Sequence, residues 1–300
     1  MKTIAIIGAS GLLGQNLTRV LRQKHRVLLF DKIAATDEIL PVDITNINEL
    51  NDVIIAEKPD VVINTAAFTN VDAAEDNVDL AYEINQVGVK NILQILTPLN
   101  IPLVHISTDY IFDGHNGPYG EEDKGNPNGV YAKSKWLGEL EVQAAKIPTA
   151  IVRPNVLYGF GYNLKSSFVE WLISQLQKGN AVKIVNDQFN NPSYAYRLAE
   201  LIQDIIEKDA WGIWHFGCDK IMSRYEFALE IADVFNLPKD IIQSVSSNEF
   251  TQKAPRPMRS GLKTEKVASE LKFAILSARE ELQLLKREIY GDEFNNNSNL

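Results

Sequence analysis

The sequence has one cysteine, Cys218, which excludes an internal disulfide, and no second cysteine or histidine stands at a zinc-finger spacing from it. A thiol-poor chain of this kind is expected in a reducing compartment. His25, His105, His115 and His215 form no H-E-x-x-H or related grouping, so no metal is expected. No run approaches the roughly 18 uncharged apolar residues of a membrane-spanning helix. The apolar segment 3–7 behind Met1 and Lys2 is too short for the core of a signal peptide and leads into glycines. A soluble, cytoplasmic protein with no membrane partner is the expectation. Positive charge is scarce as well: 30 Lys and Arg against 39 Asp and Glu leave a formal net charge of −9. Nucleic acid is therefore not an expected partner, because holding a phosphate backbone rests on clustered cations.

The composition that remains is globular, and the 300 residues leave room for about two domains. Residues 3–7 (TIAII), 26–30, 60–64, 102–107 and 149–153 read as strands, several of them apolar on both faces. Strands of that kind suit a parallel sheet covered on both sides. Between them, residues 12–23, 47–57, 79–96 and 130–146 carry helical patterns, each long enough for one crossover helix. This alternation predicts an α/β fold, a Rossmann-type doubly wound parallel sheet. Beyond Arg153 the rhythm loosens. Helices are expected at 166–178, 196–208, 224–235, 264–270 and 277–290, with strands at 182–185 and 212–216. The expected division is a dinucleotide-binding domain over 1–154, a smaller α/β substrate-binding lobe over 155–290 with some strands returning to the sheet, and a polar tail over 291–300.

Gly8-Ala9-Ser10-Gly11-Leu12-Leu13-Gly14 follows the first strand and opens the first helix. Gly8 permits the tight turn, Gly11 the close approach of backbone to a pyrophosphate, and Gly14 the close packing of helix on strand. Free N–H groups at the helix start then face the anion. Asp31 ends the second strand, where a carboxylate accepts the ribose hydroxyls of adenosine and favours NAD over NADP. Lys32 beside it would partly offset the repulsion of a 2′-phosphate. Asp43 and Ile44 stand where they could hold the adenine edge.

Tyr131 and Lys135 are four residues apart, hence on one helix face. An ammonium beside the phenol is expected to lower its pKa and fit it for proton exchange with a carbonyl oxygen. Thr108, in Ser107-Thr108-Asp109 at the end of a strand, is placed to orient that carbonyl. Such a Tyr-Lys pair is common on surfaces. Only the succession of glycine loop, Ser-Thr strand end and Tyr-x-x-x-Lys helix specifies one chemistry. His105 lies in an apolar strand and is expected to bond backbone. The Glu121-Glu122-Asp123 run is expected to be a solvated turn, with a lid over substrate as the alternative.

These motifs resemble the extended short-chain dehydrogenase/reductase family. Within it, 63–75 (INTAAFTNVDAAE), 107–114 (STDYIFDG), Asp187-Gln188 with Asn191-Pro192-Ser193, and Arg256-Pro257 are similar to its rhamnose-reductase-like branch. The resemblance implies an NAD(H)- or NADP(H)-dependent reductase of a 4-keto sugar carried on a nucleotide, with Thr108, Tyr131 and Lys135 as the catalytic set. It implies that Ala66, Ala67 and Phe68 line the cofactor's nicotinamide end, and that Lys135 bonds the nicotinamide ribose. Thr108 and Asp109 would touch the sugar, Val156 would stand beside it where such enzymes carry a tryptophan, and Arg256 would bind a diphosphate. It further implies that Asn85 helps hold the active-site helix and that two long helices, 79–96 and 130–146, pair a homodimer. Two alternatives share fold and motif: a dinucleotide-binding regulatory subunit without turnover, like that of methionine adenosyltransferase, and a sugar-nucleotide epimerase or dehydratase.

Overall fold

A computed structural model of the chain describes residues 1–164 and 167–291. The polar tail expected from 291 lies, beyond Gly291, outside these residues, as does the expected helical start at Ser166. The first half runs β1 (Thr3–Ile7), α1 (Leu12–Leu21), β2 (Arg26–Asp31), β3 (Ile39–Pro41), α2 (Ile47–Glu57), β4 (Val61–Asn64), α3 (Val71–Ala74), α4 (Val78–Tyr82), α5 (Gly88–Leu99), β5 (Leu103–Ile106), α6 (Val130–Gln143), β6 (Thr149–Pro154). The second half adds β7 (Leu157–Tyr158), α7 (Phe168–Gln177), β8 (Val182–Val185), β9 (Phe189–Asn190), β10 (Ser193–Tyr194) and α8 (Ala195–Glu207). It continues through β11 (Gly212–Phe216), β12 (Met222–Ser223), α9 (Arg224–Val234), β13 (Ile242–Val245), α10 (Glu265–Glu270) and α11 (Ala278–Tyr290).

Seven strands form one parallel sheet in the order β11-β6-β5-β4-β1-β2-β3. Strand order reverses between β1 and β4, so the loops leaving their carboxyl ends diverge and open a crevice there. Ile4–Ile7 and Val61–Asn64 are buried on both faces, as expected for central parallel strands. One face packs against α1 and α8 through Leu17, Leu21, Leu198 and Ile202, and the other against α2, α5 and α6 through Leu50, Ile92, Leu96 and Val142. A separate core gathers α7, α9 and α11 around Tyr158, Phe227 and Leu282.

One expected helix carries an irregularity. Residues 78–99 are helical throughout, which bears out the expected crossover at 79–96, but a π turn at Glu83–Val87 separates α4 from α5. The cause is Asn85, whose side chain leaves the helix to accept the Phe68 N–H at 2.8 Å. It also donates to the Phe68 carbonyl at 3.1 Å and to Ser134 Oγ at 2.9 Å. A single side chain therefore ties the loop after β4 to α6, and π turns of this kind recur at functional sites. His105 also departs from expectation. Its Nδ1 meets the side-chain amide of Asn64 at 3.2 Å, not a backbone group.

Candidate active site

A cleft of about 770 Å³ opens at the carboxyl ends of β1, β4 and β5, a size ordinary for cofactor sites. At one end lies the glycine loop. Gly8 has φ +87°, and a Cβ there would stand 2.6 Å from the Ala66 nitrogen; at Gly14 it would stand 2.3 Å from the Gly8 carbonyl oxygen. Any side chain at either position would push α1 or the loop after β4 out of place. Gly11 caps α1 without a side-chain bond, so first-turn N–H groups at Leu12 and Leu13, which line the cleft, are left for a ligand. These features fit a dinucleotide pyrophosphate.

Asp31 stands at the same end, accepting the Ser10 N–H at 2.9 Å and the Ile33 N–H at 3.3 Å, while Lys32 pairs with Asp43 at 2.7 Å. Asp31, Lys32, Asp43, Ile44, Ala66 and Ala67 all line the cleft. Ser10, Gly14 and Phe68 do not. The Ser10 hydroxyl turns away to the Ile33 carbonyl at 3.0 Å, Gly14 serves packing, and Phe68 is held by Asn85 through its backbone.

In the middle of the cleft Thr108, Tyr131 and Lys135 come together. Thr108 follows β5, and its hydroxyl donates to Asp109 Oδ1 at 3.1 Å. Tyr131 and Lys135 face the cleft from α6, and Lys135 Nζ donates to the Ile106 carbonyl at 2.6 Å. Burial pushes the Tyr131 phenol above its ordinary range, with the neighbouring Thr108 hydroxyl acting against it. This corrects the expectation of a phenol made acidic by Lys135. The group is a phenol at neutral pH, already in the form that gives a proton. Burial also pulls the Lys135 ammonium down to about 8, against the attraction of Glu139. Asp109, buried beside them, is pushed up by burial to about 6.

The far end was only partly foreseen. Val156 lines it as expected, but Arg256 is absent from the lining because Asp72 Oδ2 at 2.7 Å and the Ala254 carbonyl at 3.0 Å occupy its donors. The cation at this end is instead Arg224, the first residue of α9. It lies over the Phe168 ring at 5.0 Å and makes no ion pair among the described residues, although Asp109 and Tyr110 bias it electrostatically. Phe168 in turn opens α7. Both positions follow from capping boxes, Ser167 with Glu170 and Ser223 with Glu226, which start each helix with its first side chain at the cleft. The S-x-x-E spacing was available in the sequence as a signal for both. Glu121 is not a solvated turn residue, since its carboxylate accepts the His215 N–H at 3.2 Å and its carbonyl faces Arg153 at 3.3 Å.

A doubly wound sheet with a glycine loop at its switch point and a threonine, tyrosine and lysine facing the same cleft defines a dinucleotide-dependent oxidoreductase of the short-chain type. More narrowly, the chain belongs to the RmlD substrate binding domain family, whose model matches residues 1–290. The spore coat polysaccharide biosynthesis protein SpsK of Bacillus subtilis (strain 168) is 35% identical over 263 residues, 87% of this chain and 89% of that protein. The dTDP-4-dehydrorhamnose reductase of Aggregatibacter actinomycetemcomitans is 32% identical over 282 residues, 89% and 92% of the two chains. The crystal structure of dTDP-4-dehydrorhamnose reductase from Bacillus anthracis str. Ames in complex with NADP superposes with a TM-score of 0.88 at 31% identity, covering 96% of this chain and 99% of that one.

Proposed function

We propose that the protein reduces a nucleotide-linked 4-keto sugar with NADH or NADPH, as a dTDP-4-dehydrorhamnose reductase does, in the cytoplasmic synthesis of a surface polysaccharide. The observation that carries this reading is the convergence of the glycine loop with Thr108, Tyr131 and Lys135 in one cleft. A bound nicotinamide supplies the hydride. Gly8, Gly11, Leu12, Leu13, Asp31 and Lys135 hold the dinucleotide, and residues 1–154 form its domain. Thr108 aligns the sugar carbonyl, and Tyr131 gives its proton to the carbonyl oxygen as the new C–H bond forms at the carbon. Asp109 and Val156 contact the sugar. Arg224, half-buried at the cleft and without an ion pair among the described residues, takes the substrate diphosphate through its planar donor fork, the role first expected of Arg256. Residues 155–290 supply most of the sugar side, and two copies pair through α4, the π turn after it, α5 and α6, where Leu80, Val87 and Leu140 are exposed.

Incubation with NADH or NADPH and a panel of dTDP-, UDP-, GDP- and CDP-linked 4-keto sugars tests the reading. One cofactor is expected to be oxidised per sugar converted, fastest with a dTDP sugar. Conversion without net oxidation would point to an epimerase or dehydratase. Dinucleotide binding with no conversion of any substrate would point to a regulatory subunit, a reading that the assembled Thr108, Tyr131 and Lys135 disfavours.

Asp31 makes NADH the preferred reductant in this proposal, since its carboxylate would face a 2′-phosphate. Asp31→Asn is expected to raise the NADPH-to-NADH ratio of kcat/KM by about tenfold, the effect of removing roughly 1.4 kcal/mol of like-charge repulsion. A wild-type enzyme already favouring NADPH, or a ratio unmoved by the substitution, would remove Asp31 from cofactor choice.

A further inference from the structure

Beneath the cleft lies a buried ionic cluster that the chemistry above does not use. Glu139 is fully buried on α6, one helical turn beyond Lys135. Its Oε2 accepts the Ser107 hydroxyl at 2.5 Å and Arg153 Nε at 3.2 Å. Its Oε1 takes a second Arg153 nitrogen and the Gln143 amide, the latter at 2.9 Å. Ser107 immediately precedes Thr108 after β5, and Arg153 lies near the end of β6. One carboxylate therefore joins the ends of two neighbouring strands to the helix that carries Tyr131 and Lys135. Buried ion pairs are poor stabilisers, because apolar residues of similar volume often do as well. Stability alone is thus a weak reason for a charge at this position.

The groups around Lys135 narrow the alternatives. Glu139 is the anion that acts on it. His105, facing it from β5, is held neutral by burial, and Tyr131, one turn back on α6, is a neutral phenol. Behind Glu139 stands Arg153, and behind that His215 on β11, 3.1 Å from the guanidinium and held neutral by burial and that charge.

Building on the reductase reading, we propose that Glu139 is a positioning residue: it clamps the Ser107–Thr108 strand end to α6 and supplies the buried negative charge that keeps Lys135 an ammonium. In the full-length protein, Glu139→Gln is expected to lower by about one pH unit the point at which Lys135 loses its proton, read by NMR titration of ¹⁵N-labelled lysine side chains. The alkaline limb of the kcat/KM profile is expected to move down with it. Ser107→Ala keeps the ion pair, so it tests the clamp in a chain that retains its buried charges. It is expected to leave the Lys135 titration in place and to lower kcat by about tenfold at unchanged cofactor KM. A folded Glu139→Gln whose Lys135 titrates as in the wild type overturns the proposal, and so does Ser107→Ala with wild-type kcat. The NMR titration needs no substrate. A wild type silent toward every keto-sugar nucleotide would therefore end the reductase reading while the titration still decides the role of Glu139.

Discussion

Tyr131→Phe is expected to lower kcat by about 10³-fold, within the range by which a positioned proton donor accelerates a reaction, and to leave dinucleotide affinity within about twofold of wild type. The asymmetry follows from where the hydroxyl sits. Tyr131 lines the cleft with Thr108, away from the glycine loop and from Asp31, which hold the dinucleotide in the proposed function. Its ring packs edge-on against Tyr110 with centroids 5.6 Å apart, a contact that phenylalanine keeps. Stopped-flow reduction of a keto-sugar nucleotide, paired with fluorescence titration of the cofactor, separates the two quantities. A Phe variant that turns over at the wild-type rate would mean the proton comes from another group, such as Asp109, which lines the same cleft and is pushed up by burial to about 6. The pH dependence has a stated direction. Lys135 carries its charge below about 8, so turnover that uses the ammonium is expected to fall as pH rises through that value.

How far the site could be read without coordinates depends on the range of the interactions that make it. The strands at 3–7, 182–185 and 212–216 were legible to the residue because their patterning is local. The glycine loop and the Tyr131–Lys135 pair were legible because each is a short spacing with one geometric meaning. β3 was absent from the expected strands, since Ile39–Pro41 has three residues and ends in proline. The π turn at Glu83–Val87 was not legible, because the bonds that Asn85 makes there, to Phe68 and Ser134, span 17 and 49 residues of sequence. The same limit separates the two arginines. Arg256 has the more suggestive neighbours in sequence, yet Asp72, 184 residues away, takes its guanidinium, while Arg224 is left to the cleft by a capping box. Even the phenol followed this rule. The spacing of Tyr131 and Lys135 placed them correctly, but burial, which no spacing encodes, pushes the Tyr131 pKa up where the pair alone suggested down.

Burial also decides the second large effect, far from the chemistry. Glu281 on α11 is 1% exposed in the core shared with α7 and α9, where its Oε2 accepts the Tyr158 hydroxyl at 2.9 Å. Burial pushes its carboxyl from an ordinary 4.5 up to about 8, more than the Tyr158 bond and the Arg197 charge bring it down, and Asp219 adds to the rise. The folded protein thus holds a proton that the unfolded chain releases, so stability falls as pH rises between those values. At about 1.4 kcal/mol for each pH unit, the loss is a few kcal/mol by pH 8 and absent below about pH 4.5. Glu281→Gln keeps an acceptor for Tyr158 and removes the titration. It is expected to stabilise the protein by about 2–3 kcal/mol at pH 8, less than the full linkage because the second amide N–H must be buried too, and, since that cost does not depend on pH, to destabilise it by about 1–2 kcal/mol at pH 4.5. Urea unfolding of both chains at the two pH values measures the difference directly. Equal effects at both would show that Glu281 is ionised in the folded state, so that an ion pair with Arg197, not a neutral carboxyl, holds α11 against the second core.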